Sequence, residues 1–494
     1  MAKRKTTIAV LDTETDPFQH QRIPKPFAME FYSLDERLQI WGDDCAERMA
    51  SYLQALDRPY MIFAHNGGKF DFHFFSPWLD NPLKIIKSRI VSARLFQHTL
   101  RDSYAILPRP LRDFEKMDFD YAKMERSVRE KHKAEILTYL HSDCINLYEI
   151  VQDFINRFGV QLTIGGTAMK EIRKRHKFRE LSETDDATYR RFYFGGRVEA
   201  FADGIQKGPF VCVDINSSYP ASMRNYDHPV NGSFRMQTTL PTDKDAVYFC
   251  RFIGENSGAL PAVVDGKLTF NKKEGEFFAC SHELNFALER GLARVDEILE
   301  CYVAQETIQL DTYVNDCMAL KLHAENVGDK AGRLFYKLLA NSGYGKFGQN
   351  PANFEDWRIS RDPGEMTDLE EEGYVWVAEL DDFDLYCRKS DNYGRGFYDV
   401  SIAASITSAS RKMLLEALLD CVDPIYCDTD SIICREFRGR IHPTELGAWK
   451  VEKTAQFAAI AAKKVYALYD NERGKPVKLA SKGGTLTLAD ILAI

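Results

Sequence analysis

Two acidic strings far apart in the chain carry the residue types of a nucleotidyl-transfer site: Asp214-Ile215-Asn216-Ser217-Ser218-Tyr219-Pro220 and Tyr426-Cys427-Asp428-Thr429-Asp430-Ser431. In 210–215 a buried-strand run ends on Asp214, and 425–434 reads as two apolar strands joined by an acid-rich turn. Carboxylate oxygens bind Mg²⁺, and two such ions roughly 3.5–4 Å apart clamp the attacking and leaving oxygens of an in-line phosphoryl displacement. Asp214, Asp428 and Asp430 supply three carboxylates for that chemistry. Taken singly, Asp428 or Asp430 reads equally well as a turn residue bonding its own backbone. The pairing of the two strings favours chemistry.

A second set lies near the start of the chain. Asp12-Thr13-Glu14 follows a strand-like run, and alternation puts Asp12 and Glu14 on one side of it. His65-Asn66-Gly67-Gly68-Lys69-Phe70-Asp71 comes next, then Tyr139-Leu140-His141-Ser142-Asp143, in which Tyr139 and Asp143 share a helical face. Asp-x-Glu alone is common surface decoration. All three elements in order within one domain point instead to two-metal hydrolysis: Asp12, Glu14, Asp71 and Asp143 hold the ions and the Tyr139 phenol orients the attacking water.

A third group is helical. Arg333, Lys337, Asn341 and Tyr344 fall on one stripe. Cations at the first two positions can hold a triphosphate, with Asn341 and Tyr344 where a sugar and base would rest. The plainer reading is a polar helix face. Leu334, Leu338 and Leu339 flank the stripe and can bury, which aims it at a cleft.

These residues need elements to position them. Residues 6–160 alternate strand-like runs (6–11, 59–64) with helix-like ones such as 134–158, the pattern of an α/β domain. Leu162-Thr163-Ile164-Gly165-Gly166-Thr167 breaks that pattern, so a boundary falls near 160–190. Tyr193-Phe194-Gly195-Gly196-Arg197 opens the next domain, and a helix-like segment, 329–343, ends at Gly343-Tyr344-Gly345.

A chain of 494 residues suggests several domains, and 45% hydrophobic residues with a mean hydropathy of −0.36 describe an ordinary globular protein. No run is long and apolar enough for a membrane span, and the basic start leads straight into a strand without a signal-peptide core. Eleven scattered cysteines without Cys-x-x-Cys read as reduced, mostly buried thiols, not structural zinc ligands. A net charge of −8 argues against purely electrostatic nucleic-acid binding. Its distribution is uneven: 170–179 is basic, whereas 365–384 holds nine carboxylates and no Lys or Arg. Either run reads first as a solvated face, the basic one alternatively as lining for a DNA path.

The order Asp-x-Glu, Asn-x-x-x-x-Asp, Tyr-x-x-x-Asp, Tyr-x-Gly-Gly, Asp-x-x-Ser-x-Tyr-Pro, Lys-x-x-x-Asn-Ser-x-Tyr-Gly, Tyr-x-Asp-Thr-Asp-Ser and Lys-x-Tyr resembles the family B DNA polymerases, specifically their protein-primed branch. The likeness runs from residue 8 to about 485. Local strings at 12–27, 65–74, 102–108, 162–169 and 192–197 look most like the DNA polymerases of tectiviruses, tailless lipid-containing bacteriophages.

The resemblance implies an α/β and α+β multidomain chain: a ribonuclease-H-like 3′–5′ exonuclease followed by a right-hand polymerase of palm, fingers and thumb. The expected divisions are exonuclease 1–165, linker and start of palm 166–209, palm with a first insertion 210–325, fingers helix 326–348, second insertion 349–398, palm 399–466 and a short or truncated thumb 467–494. Asp12, Glu14, Asp71 and Asp143 would bind exonuclease metals and Tyr139 would position the water. Asn66, Phe70 and Ser103 would hold the single-stranded 3′ end. In the palm, Asp214 and Asp430 would be the principal metal ligands, with Asp428 beside them and the Ile215 carbonyl assisting. Two Mg²⁺ ions per site are implied, with Mn²⁺ as the alternative. Tyr219 would exclude a 2′-hydroxyl. Arg333, Lys337 and Asn341 would serve the incoming dNTP, Tyr344 would line the base-pair pocket, and Lys464 and Tyr466 would grip the primer. Tyr193, Gly195 and Gly196 would pass the template strand.

The implied function is replication of a linear viral DNA in the cytoplasm of a bacterial host. The implied partners are primer-template DNA, dNTPs and a terminal protein whose hydroxyl takes the first nucleotide, the enzyme being a monomer or a heterodimer with that protein. A polymerase of a linear plasmid or mobile element is the alternative. An RNA-making polymerase would share the palm carboxylates, but Tyr219 and the editing domain argue against it. A scaffold with decayed sites is at odds with intact carboxylates at both. The acidic run falls in the second insertion, where it would repel phosphate, and is expected to face solvent or the partner. Only 28 residues, 467–494, follow Tyr466 and the apolar stretch 485–494 lacks a capping signal, whereas the family usually continues into a fuller thumb, so a truncated or reduced thumb is expected.

Overall fold

The structure is a computed structural model that describes residues 7–16, 24–114, 117–179, 181–380, 382–390, 397–471, 474–481 and 489. The stretch 485–494, on which the reduced thumb was argued, therefore lies outside the described residues apart from Ala489. The chain divides into two compact units: the first comprises 1–170, 319–339 and 350–393, the second 171–318, 340–349 and 394–494.

The first unit is built on a ten-stranded sheet. Its middle is Thr7–Thr15, parallel to Tyr60–Ala64, which is parallel in turn to His98–Asp102. Residues 8–11 and the strand Tyr60–Ala64 are apolar on both faces, as strands covered on both sides must be, whereas His98–Asp102 contributes Leu100 to the core and buries the polar His98 and Asp102. Pro26–Tyr32 and Arg37–Trp41 extend the sheet on one side. Ile90–Leu95, Leu79–Ile85, Glu355–Ser360, Phe383–Lys389 and Val375–Leu380 extend it on the other. The helix Lys133–Phe158 buries Ile136, Leu140, Leu147, Val151 and Phe154. Ile359 and Phe383 share a core with Ile62, Phe72 and Leu79, so the late strands are part of this unit's own packing.

The last strand, Val375–Leu380, is the free edge of that sheet. Val375, Trp376, Val377 and Leu380 are exposed on it. The neighbouring Glu365, Asp368, Glu370, Glu371, Glu372 and Glu379 are exposed as well, so most of the acidic run is solvent-facing.

The second unit holds a seven-stranded antiparallel sheet in the order Lys478–Ser481, Val465–Tyr469, Trp449–Ala462, Gly204–Ile215, Ser431–Phe437, Cys421–Asp428 and Val198–Ala200. The helices Val400–Leu419 and Ser218–Asn225 pack together, and Val213, Ile215, Leu414 and Leu418 share a core. A four-stranded sheet (Phe234–Gln237, Ala293–Ala304, Tyr248–Asn256, Glu274–Cys280) completes the unit.

The division between the two units falls between Lys170 and Glu171, within the expected 160–190, although Gly165 and Gly166 themselves lie inside the helix Ile164–Arg175. One local expectation fails. The helix Lys330–Phe347 runs through Gly343-Tyr344-Gly345 instead of ending there. Gly343 faces Ile172, Met223 and Tyr313, and a Cβ there would come within 2.9 Å of the Ile172 side chain. Close packing, not termination, explains this glycine. Leu334 and Leu338 are only half-buried; the anchor of the same helix is Phe335, fully buried against Phe114, Phe154 and Phe158.

No helix among the described residues is long and apolar enough to cross a membrane, and all eleven cysteines are free thiols.

Candidate active sites

In the second unit the sheet register unites the two acidic strings. Asp214 lies opposite Ser431, and the Ile215 N–H donates to the Asp430 carbonyl at 2.7 Å. Asp428 ends one strand, Ser431 begins the next, and the Asp430 N–H donates back to the Asp428 carbonyl at 2.6 Å. Closing so tight a turn puts Thr429 at φ +58°, an unfavourable conformation for a β-branched residue. It is held there by its N–H, which donates to the Arg197 carbonyl at 2.7 Å. Gly196 lies against the Thr429 side chain, where a Cβ would come within 2.7 Å, so the loop after Tyr193 needs glycine to approach the turn. Buried Arg411 fixes the same loop by donating to the Phe194 and Gly195 carbonyls while forked onto Glu283.

The carboxylates repel one another. Burial, then Asp214 and Asp428, push the Asp430 carboxyl up to about 7. Burial also raises Asp214, and the Lys450 ammonium, 3.4 Å from its Oδ1, pulls it back. Lys464, itself at φ +67°, donates through Nζ to Asp428 at 3.0 Å and through its N–H to the Tyr426 hydroxyl at 2.8 Å. Tyr466 is buried and packs on Tyr426. Tyr219 stacks on Tyr344 with ring centroids 3.6 Å apart. Arg333 and Lys337 are exposed on their helix; Asn341 and Tyr344, half-buried, follow on the same helix. The first pair belongs to the first unit and the second pair to the second.

In the first unit Asp12 and Glu14 lie on the central strand, Asp71 opens the short helix Asp71–Trp78, and Tyr139 and Asp143 share the long helix. Burial pushes the Asp71 carboxyl up to about 7, against the Thr13 hydroxyl, and its Oδ1 is buried without a well-formed hydrogen bond. Burial raises the Tyr139 phenol most, with the Tyr121 hydroxyl 3.0 Å away and the Asp143 and Glu14 carboxylates adding to it. Asn66 takes φ +65°, and its Oδ1 accepts from Arg89 Nη1 at 2.7 Å. The same nitrogen donates to Asp102 at 2.5 Å, and Asp102 also accepts from the Gly68 N–H. Ser103 is buried, with its Oγ 3.0 Å from His65 Nδ1, and Phe70 meets Phe74 edge-on.

Both donor sets are oxygen-only, and in the first unit Asp71 Oδ1 is buried without a well-formed hydrogen bond, which fits a hard divalent ion. Among the described residues no three His, Cys, Asp or Glu side chains are drawn round a common point, and two palm-side carboxylates are in ammonium contact instead. Sequence reasoning missed Arg89 and Asp102, which tie the Asn66 loop to the Ser103 loop, and Lys450. Asp102 stood inside a noticed string; Arg89 and Lys450 carried no local signal.

Comparison with known proteins follows the same lines. Residues 114–418 match the family model of DNA polymerase type B, organellar and viral. The DNA-directed DNA polymerase of Enterobacteria phage PRD1 is 42% identical over 98% of this chain and 86% of its own length. A DNA polymerase of Kluyveromyces lactis is 25% identical over 79% of this chain and 48% of its own. The fold matches that of Phi29 DNA polymerase complexed with primer-template DNA, with a TM-score of 0.71 at 19% identity, covering 97% of this chain and 90% of that one. The expected fold class, an exonuclease-type α/β unit with a right-hand polymerase, therefore holds, as does the likeness to tectivirus polymerases.

Proposed function

This chain belongs to the organellar and viral type B DNA polymerases, and from that premise we propose that it replicates a linear viral DNA with 3′–5′ proofreading, starting from a terminal protein. DNA-directed DNA polymerase activity comes with the family. The observation that carries the reading is the hydrogen bond from Ile215 N–H to the Asp430 carbonyl, through which two strings distant in sequence form one carboxylate edge. The phage relative, far more similar than the yeast one, favours a viral genome over a plasmid or mobile element.

Asp214, Asp430 and the Ile215 carbonyl would hold the palm ions, with Asp428 beside them. Mg²⁺, or Mn²⁺ in its place, two per site, would when bound supply the charge that favours a deprotonated attacking hydroxyl and a leaving pyrophosphate. Arg333 and Lys337 bind the triphosphate, Asn341 and Tyr344 the sugar and base, and Tyr219 bars the 2′-hydroxyl. Lys464 holds the primer end, and Tyr466 supports it through Tyr426. Tyr193, Gly195 and Gly196 guide the template, the glycines allowing backbone to approach phosphate.

In the first unit Asn66, Phe70 and Ser103 hold a frayed 3′ end over Asp12, Glu14, Asp71 and Asp143. Tyr139, its pKa raised, keeps its proton and orients water through its hydroxyl. The reaction belongs in the bacterial host's cytoplasm, with the enzyme alone or paired with its protein primer.

Separable activities test this. Asp430→Ala should abolish nucleotide addition while 3′–5′ degradation persists, and Asp12→Ala with Glu14→Ala should do the reverse. Loss of both activities in either variant contradicts two independent sites. Priming is tested by covalent transfer of a labelled nucleotide to a co-expressed partner protein; label that enters only DNA counts against it.

A further inference from the structure

We propose that Lys450 is a tethered cation that occupies the Asp214 carboxylate until a divalent ion displaces it, and thereby sets the ion concentration at which the polymerase site loads. The inference rests on Asp214 and Asp430 being metal ligands. Lys450 and Asp214 lie directly opposite each other on the antiparallel strands Trp449–Ala462 and Gly204–Ile215, so their side chains share one face of the sheet. Nζ stands 3.4 Å from Oδ1. The lysine side chain is 40% exposed and the aspartate 24%, so the ammonium has an open route to solvent and a flexible stem to take it there.

Two neighbouring carboxylates already have their own ammonium partners. Asp428 has Lys464 at 3.0 Å, and Glu452, two residues along the strand from Lys450, is held by Lys478 at 2.6 Å. Asp430 faces both Asp214 and Asp428, and Lys450 reaches it only by longer-range attraction. An entering ion therefore competes with Lys450 for the Asp214 carboxylate, whose charge the ammonium already offsets, and that positive charge repels the ion at short range.

Other roles for Lys450 give other signs. A lysine that only steadied Asp214 would, on removal, leave a wandering ligand and weaker ion binding. A lysine that contacted phosphate would change DNA affinity and leave ion affinity alone.

Mn²⁺ binding to the full-length chain, followed by the paramagnetic resonance of free Mn²⁺ and not by activity, separates them. The Asp12→Ala, Glu14→Ala background removes the exonuclease ligands from the count. Lys450→Met and Lys450→Gln should each bind Mn²⁺ roughly tenfold more tightly. Lys450→Arg should bind as the parent does, and Asp214→Asn more weakly. Unchanged or weaker binding in the two neutral variants overturns the proposal, as does Lys450→Arg matching Lys450→Met. Reduced metal-free affinity for primer-template DNA with Mn²⁺ affinity unchanged identifies a phosphate contact and also overturns it. If Asp214→Asn leaves Mn²⁺ binding intact, the metal-ligand reading itself fails and takes the proposal with it. A fall in Asp214→Asn without a rise in Lys450→Met sinks the proposal alone.

Discussion

Tyr219 and Tyr344 lie face to face, their planes 19° from parallel, and this contact fixes the ring that the proposed function assigns to sugar selection. A stacked aromatic has few rotamers left, so its edge is a rigid wall where a 2′-hydroxyl would come. Tyr219→Val should raise ribonucleotide use relative to deoxynucleotide use by roughly 100-fold in kcat/KM, the scale expected when a shaped pocket loses its excluding group. Tyr344→Leu, which keeps the wall but removes its support, should shift the ratio in the same direction by less. An unchanged ratio in Tyr219→Val removes the gate assignment. Tyr219 was legible because it follows Asp214 within one short string. Lys450 was not: its place opposite Asp214 depends on a register between strands more than two hundred residues apart, and local sequence carries no trace of it.

At the scale of elements, the helix Val400–Leu419 begins on Asp399, whose carboxylate accepts from the Ser401 and Ile402 N–H groups. A cap of this kind favours the charged form, yet Asp399 is fully buried and desolvation wins, pushing its carboxyl up to about 7. The native state therefore holds a proton that the unfolded chain has released between pH 4 and 7. The sign follows: stability from this group is greatest below about pH 4 and falls as pH rises towards 7. Asp399→Asn keeps the cap acceptor and cannot ionise, so it should flatten that slope and stabilise the protein at pH 8 by about 2–4 kcal/mol. Denaturant unfolding at pH 5 and pH 8 measures it, and an equal gain at both would rule out the buried charge as the cause.

Strand ends and the acid-rich turn between Asp428 and Ser431 were readable from apolar runs ending on acids. Gly343-Tyr344-Gly345 was misread as a helix end, since the cost of a helical glycine, about 1 kcal/mol, is outweighed where Gly343 allows close packing on Ile172.

At the scale of the molecule, the first unit is assembled from three stretches of chain, the last of them 350–393. The family resemblance implied a second insertion at 349–398, ahead of the Tyr426 string, and said nothing of what it packs on. Yet Asn81 exchanges side-chain hydrogen bonds with the Ile359 backbone at 2.8 and 3.1 Å, pinning the late strands to the early sheet. No sequence pattern announces such a pairing, because both strands look like ordinary edge strands until they meet.

The far edge of that sheet then acquires a meaning that catalysis does not supply. Val375, Trp376, Val377 and Leu380, on a strand paired along one side only among the described residues, are a template for adding foreign strands. Exposed Glu370, Glu371, Glu372 and Glu379 set charge beside it, and charge is what keeps two such edges apart. Replacing these four with Gln should leave nucleotide addition unchanged at nanomolar enzyme yet bring on light scattering at micromolar concentration. Scattering in the variant and none in the parent would make the acidic run a colloidal safeguard, one that keeps a chain with an open sheet edge from self-association.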